Sequence, residues 1–233
     1  MNDPNPEYHP IFDTQQGIAV LERVVEHYTD VFLPCEKKDR KYYRGLTTKK
    51  AARDAGRLRR HDNQRHSHAD SWAGKTGPRK AEDALDRFSE ALEQYAGKLY
   101  EGMPFIELHD VVEEAAVRAG SPKPEPLLRY DAALMLAWHL RTEPEDVWLH
   151  SGTDWGVRTL GISTKGRKIV TLDELPTTFR KLPAWQVEDI LCIYRLVIQQ
   201  VHGDQPVDAK VFAKIEAKRQ QMGCGHRRCK VSC

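Results

Sequence analysis

The sequence predicts an all-α protein, and three features predict it. Apolar residues recur at three- and four-residue intervals over several long stretches. Prolines and glycines fall where those stretches begin and end. Only one segment, 168–172, has the character of a strand. The expected architecture is a single helical domain of about eight helices with a basic arm or loop inserted after the first. Four parts follow: residues 1–35 as an N-terminal segment and first helix, 36–80 as the basic arm or loop, 81–222 as the helical core domain, and 223–233 as a Cys/His tail.

Each element has its own signal. Residues 1–13 read as an irregular lead-in. The first helix, 16–32, places Ile18, Leu21, Val24, Val25, Tyr28 and Phe32 on one face, and Pro34 ends it. Residues 47–60 can form a mostly positive helix. Residues 61–77 contain turn formers and no apolar period, so they read as loop. The second long helix, 79–100, carries the stripe Leu85, Phe88, Leu92, Tyr95 and Leu99. Pro104 opens the next helix and Gly120 closes it, with Ile106, Val111, Val112, Ala115 and Ala116 on its apolar face. After a stiff SPKPEP connector, 126–140 is apolar almost throughout and predicts a central buried helix. Short helices are expected at 143–149 and 154–160, and an isolated strand or extended loop at 168–172. A long helix at 183–201 turns Val187, Ile190, Leu191, Tyr194, Val197 and Ile198 inward, and a last helix at 206–222 stops at Gly223.

A chain of 233 residues with 40% apolar and 30% charged residues can build one substantial core under a very polar surface. That composition excludes collagen-like, wholly disordered and membrane classes. No apolar run is long enough to cross a bilayer, and the first residues lack a leader pattern, so a cytoplasmic protein without a membrane partner is expected. The five cysteines, three of them in the last ten residues, do not make a secreted disulfide framework.

The net charge of +2 conceals an asymmetry. Residues 36–80 hold fifteen Lys and Arg against five acids, whereas 81–126 hold eleven acids against four bases. Such a basic segment attracts a polyanion, DNA in the first instance. A solvated mobile segment, or docking onto the chain's own acidic half, would explain it as well. Arg57, Arg59 and Arg60 are its densest cations. Tyr42, Tyr43 and Trp72 are mixed among them, as stacking on unpaired bases requires.

Four constellations could carry chemistry. The tail offers Cys224, His226, Cys229 and Cys233, ligand types that suit a structural zinc, although no cofactor is required by the sequence. A second group is His61, Asp62, His66, His68 and Asp70, which could bind metal or sit in a mobile basic loop. In the third, Asp131 enters an apolar helix after Tyr130, and Trp138, His139, Trp148, His150 and Trp155 follow. A carboxylate in an apolar pocket has a raised pKa, and flat aromatics around it suit an extruded base, with Tyr130, Trp138, Trp148 and Trp155 stacking. The same residues also read as a core helix with a capping or paired acid. Finally, Gly152, Thr153 and Gly156 form a turn before a helix, whose N–H groups favour a phosphate; Arg158, Lys165, Arg167 and Lys168 stand nearby. Glu188, Asp189 and Cys192 on the 183–201 helix read as structural.

On these residues the chain resembles the helix-hairpin-helix DNA glycosylases. Leu149 to Gly156, LHSGTDWG, is similar to that family's phosphate-gripping hairpin, and Asp173 in VTLDEL lies at about the family's distance from it. The stretch YDAALMLAWHL, from Tyr130 to Leu140, resembles the family's catalytic-aspartate helix but precedes the hairpin-like turn. The resemblance implies a monofunctional enzyme in which Asp131 or Asp173 stabilises an oxocarbenium-like transition state, with His150 beside it, during the removal of a damaged or modified base in repair or antiviral defence. The segments YDAAL, VWLHSGT and EDILCIYR also resemble stretches of uncharacterised bacterial proteins. A non-catalytic nucleic-acid-binding protein and a protein–protein adaptor remain the alternatives.

Overall fold

A computed structural model describes residues 10–202 and 209–221. The all-α class holds: among the described residues there are twelve α-helices and one two-stranded ribbon. None of these helices is long and apolar enough to cross a membrane. The chain divides into two compact units. One unites the chain up to Pro34 with Glu145–Gln221, and the other is Cys35–Pro144.

The second unit contains six helices: α2 (Leu33–Arg44), α3 (Thr48–Gly56), α4 (Ser67–Thr76), α5 (Pro78–Gln94), α6 (Phe105–Arg118) and α7 (Pro126–Leu140). Helix α7 is its axis and packs against α3, α4 and α6, with Leu128, Ala132, Ala133, Leu136 and Ala137 buried. It begins with Pro126 in its first turn. It ends where Arg141 turns left-handed (φ 59°) and Thr142 N–H donates back to Ala137 O at 3.0 Å.

The basic segment is not an arm. Residues 36–80 fold into α2, α3 and α4, and Ala51, Ala52, Ala55 and Leu58 are fully buried. Pro34 opens α2 rather than ending the first helix, because a proline in a first turn sacrifices no helical N–H bond. The loop expected over 61–77 contains α4, capped by His66. Its apolar face is Ala69, Trp72 and Ala73, a stripe made mostly of small residues. Helix α3 lies on α5 so closely that a methyl on Gly56 would strike the Ser89 backbone. Their charges also match: Arg53 pairs with Glu93 at 2.7 Å and Arg57 with Asp86 at 2.9 Å. Docking onto the chain's own acidic half engages Arg53, Arg57, Arg65 and Lys75 of the basic segment.

The first unit contains α1 (Gln15–Val31), a ribbon of β1 (Val147–Trp148) and β2 (Ile169–Val170), α8 (Ser151–Thr159), α9 (Thr177–Arg180), α10 (Ala184–Ile193), α11 (Arg195–His202) and α12 (Ala209–Gln221). Thr14 caps α1 by accepting from Gly17 N–H at 3.1 Å. The helix expected at 143–149 is instead β1, which pairs antiparallel with β2, Val147 opposite Val170. Pairing with β2 buries both valines completely. The 183–201 helix is broken at Tyr194, whose backbone (φ −98°, ψ 12°) leaves the helical region. The buried Tyr194 hydroxyl is hydrogen-bonded to His27 Nδ1 at 2.6 Å, a tertiary anchor with no local sequence signal.

The α3–α5 contact yields a stability prediction. Gly56→Ala should cost roughly 1–3 kcal/mol, because backbone must move to admit the methyl. Gly74→Ala, where a methyl meets nothing within 4 Å on α4, should stabilise by about 0.5 kcal/mol. Urea unfolding of the two variants tests the difference in sign.

Candidate functional site

The site begins with the loop between α3 and α4. Two of its residues, Leu58 (φ 51°) and Asn63 (φ 65°), are left-handed without being glycine. Such conformations persist only where neighbours hold them. Here Arg59 and Arg65 form a β-bridge, Arg60 N–H donates to Gln64 O at 2.8 Å, and His66 N–H donates to Leu58 O at 2.8 Å. Inside the loop Arg60 is buried (4% exposed) and its guanidinium meets the Asp39 carboxylate at 2.6 Å. Asp39 also accepts from His61 N–H at 2.8 Å and lies 2.5 Å from His61 Nδ1. Burial pushes the Asp39 carboxyl upward, but the His61 hydrogen bonds and the Arg60 charge outweigh it, so its pKa lies below the ordinary value.

This loop delivers His66 and His68 to α7. His68 Nδ1 lies 2.9 Å from Asp131 Oδ2, and His66 Nδ1 lies 3.5 Å from the same oxygen. The two imidazole rings stand edge to face with centroids 4.5 Å apart. Asp131 is buried in the α7 row, while the histidine side chains keep 19% and 25% of their surface exposed. The cluster is therefore partly exposed through its two imidazole rings. Burial lowers the His66 pKa to about 4, against the opposing pull of Asp131, so its ring is neutral at pH 7. Chemically, the cluster can orient and deprotonate a water, or hold a cation.

The same loop walls a polar cleft of about 400 Å³, lined by Arg57, Arg59, Asn63, Gln64, Arg65 and Asp70. Arg65 pairs with Glu82, and Arg59 reaches Asp54 only at 3.9 Å. Arg57 Nε is buried without a hydrogen-bond partner among the described residues. Three guanidiniums share the cleft with the carboxylates of Asp70 and Glu82, so an oxyanion there would displace existing ion pairs.

The other expected residues are distributed as follows. Arg60 is internal and cannot grip a phosphate as expected; its guanidinium is committed to Asp39. Tyr43 is fully buried and donates to Arg59 O at 2.7 Å, and Trp72 is buried under α4, so neither stacks on a base. Tyr42, half-buried, donates to Asp54 at 2.6 Å; burial and that bond raise its pKa to about 12. Tyr130, Trp138 and Trp148 are buried, as the core reading of the aromatics has it, whereas Trp155 is exposed beneath Arg195 at 5.0 Å.

In the first unit, Gly152 and Gly156 face α10. A methyl on either would collide with it, at Cys192 and at Leu191 respectively. Thr153 is fully buried and donates to Glu188 at 2.8 Å, and His150 is paired with the same carboxylate. These groups hold α8 against α10, and Asp189 accepts from Tyr28 at 2.8 Å, which is the structural role expected of the acids. Asp173 is exposed in a 3-10 turn. Arg158, Lys165, Arg167 and Lys168 are exposed; Arg167 binds Glu174 at 2.6 Å and lowers its pKa to about 2. Cys224, His226, Cys229 and Cys233 lie outside the described residues.

The sequence shows His66, His68 and Asp131 but not their meeting, and it offers no sign that Arg65 joins the cleft. The spacing of Ala69, Trp72 and Ala73 could have revealed α4, and with it the inward side of the 66–68 segment. Comparison of the chain with protein-family models, curated proteins and solved structures finds no match.

Arg60→Ala should destabilise the protein by roughly 3–5 kcal/mol, since it leaves Asp39 buried without its cation. Arg57→Ala, which loses a surface pair, should cost about 1 kcal/mol or less. Because the folded pKa of Asp39 is depressed, its contribution is full above the unfolded value near 3.8 and disappears as pH falls through the folded one. Asp39→Asn should accordingly flatten the acid limb of the stability curve, as thermal melts between pH 5 and pH 2 would record.

Proposed function

We propose that this chain is a DNA-acting hydrolase of the glycosylase type, working in the cytoplasm in repair or antiviral defence. The observation that carries the reading is the convergence of His66 and His68, both partly exposed, on the buried carboxylate of Asp131. Between the two carboxylates expected to react, this favours Asp131 over the exposed Asp173. The cluster orients a water and takes up its proton. The water oxygen adds to the sugar C1′ as the C1′–N bond breaks, and the bond pair leaves with the base, which gains a proton. The Asp131 charge stabilises the cationic character at the sugar. The arginine cleft supports the polyanion: Arg65 precedes His66 directly, and Asp70, on the same helix as His68, lines the cleft. The exposed Arg158, Lys165 and Lys168 of the first unit add sequence-independent attraction.

The test is base release. Purified protein is incubated with duplex and single-stranded DNA carrying normal, damaged and modified bases, and alkali converts abasic sites into strand breaks. Asp131→Asn and His68→Ala should lose about a hundredfold or more in rate, near 3 kcal/mol, while keeping DNA affinity. Asp173→Asn should keep the rate. Full activity in Asp131→Asn overturns the assignment. Absence of breaks on every substrate, with salt-dependent binding present, leaves a non-catalytic DNA-binding protein built around the same cleft.

Affinity has a separate reading. Arg57→Ala and Arg59→Ala should each weaken DNA binding on all sequences alike and reduce the slope of log affinity against log salt by about 1. An unchanged slope in the double variant would remove the cleft from the interface.

A further inference from the structure

We propose that His66, His68 and Asp131 bind one divalent transition-metal ion of the zinc class, with a fourth position open to water. The donor set is two imidazoles and one carboxylate, which suits zinc and its neighbours and not calcium or magnesium, whose sites are built from oxygen. The spacing fits. Bonds of ordinary zinc length at a tetrahedral angle put ligand atoms about 3.4 Å apart. Here the two edges to Asp131 Oδ2 are 2.9 Å and 3.5 Å, and all three ligand atoms lie within 4.8 Å of one another.

Three further observations point the same way. Two imidazole nitrogens converge on a single carboxylate oxygen, although one would satisfy an ion pair. The convergence is built in: His66 and His68 stand at the start of α4, which packs on α7, the carrier of Asp131, and an ion on His66 Nδ1 would replace the 3.4 Å cap bond that this nitrogen accepts from His68 N–H. The loop before His66 is tied down by the buried Arg60–Asp39 pair, so the ligands are held before any ion arrives. Three protein ligands, two of them partly exposed, is the arrangement of a reactive metal site, not of a closed structural one. A metal-bound water loses its proton near neutral pH, which supplies the hydroxide that hydrolysis needs. The inference rests on the reading of this cluster as the reacting centre, but its measurement is binding, not turnover.

The experiment titrates the full-length, metal-stripped protein with Zn²⁺ by calorimetry and with Co²⁺ by optical absorption. One equivalent should bind with visible Co²⁺ bands and without the near-ultraviolet thiolate charge-transfer band that the tail cysteines would give. His66→Ala, His68→Ala and Asp131→Asn should each lower affinity about a hundredfold or more. The triple variant Cys224→Ser, Cys229→Ser, Cys233→Ser should bind as the parent does. His68→Gln serves as a second probe should His68→Ala fail to fold, as circular dichroism would reveal. Undiminished binding in the His66, His68 and Asp131 variants, loss of binding in the cysteine variant, or no binding at all overturns the proposal. Base release is assayed separately on metal-stripped and reloaded protein. Metal binding without base release upholds the site and removes the proposed function. Full base release by the stripped protein removes the ion from the reaction and overturns its catalytic part.

Discussion

The geometry around His66 depends on one buried ion pair, Arg60 with Asp39. Taking both charges out of water costs several kcal/mol per ion, and only close geometry with further hydrogen bonds repays it. Those bonds are present: Asp39 holds two guanidinium contacts and two from His61, and Arg60 also reaches Cys35 Sγ at 3.1 Å. An apolar pair of similar volume could fill the space, but it would not fix where the loop turns. Directional bonds fix it, with Leu58 in a left-handed conformation that its side chain disfavours. From that fixed loop His66 enters α4 at one angle, and the cluster on Asp131 follows.

The charge asymmetry of the sequence has a structural use that competes with its functional one. Basic α3 lies on acidic α5, and Arg53, Arg57 and Arg65 each have a carboxylate partner. Exposed pairs of this kind contribute about 0–1 kcal/mol each, so burial of Ala51, Ala52 and Ala55 does most of the holding while the charges set the register. The same weakness makes the pairs exchangeable. A phosphate can replace Asp86 at Arg57, or Glu82 at Arg65, at little cost to the fold. Internal neutralisation therefore lowers the affinity this segment would have for any polyanion.

The sequence reveals the fold wherever apolar spacing is long and its ends are marked. The bounds 126–140 match α7 because Pro126 and the residues after Leu140 delimit an apolar run, and α1, α5 and α6 follow from stripes of large side chains. It misleads where order comes from contacts distant in the chain. Helix α4 has a face of small residues that a search for large ones overlooks, and β1 exists only because β2 lies opposite it. The break at Tyr194 rests on His27, which no local pattern contains. The site divides in the same way. Asp131 stands out as an acid in an apolar helix, and His66 and His68 stand out as a pair, but they are joined across sixty-three residues by the fold alone. The turn at Gly152 shows the opposite error, for glycines that permit a phosphate to approach also permit another helix to approach, and here α10 has taken the place.

That contrast favours the second unit for the proposed chemistry. In the first unit His150, Thr153 and Glu188 are buried and hydrogen-bonded to one another. In the second unit two imidazoles, those of His66 and His68, approach one carboxylate oxygen of Asp131, and both rings keep some exposed surface. A closed polar network adds specificity to packing and ends there. Two imidazoles and a carboxylate, set beside guanidiniums, gather instead at one point, the Asp131 Oδ2 atom. The structure maintains that point at a cost in buried charge, and a water, a cation or a developing positive charge is what such a point stabilises.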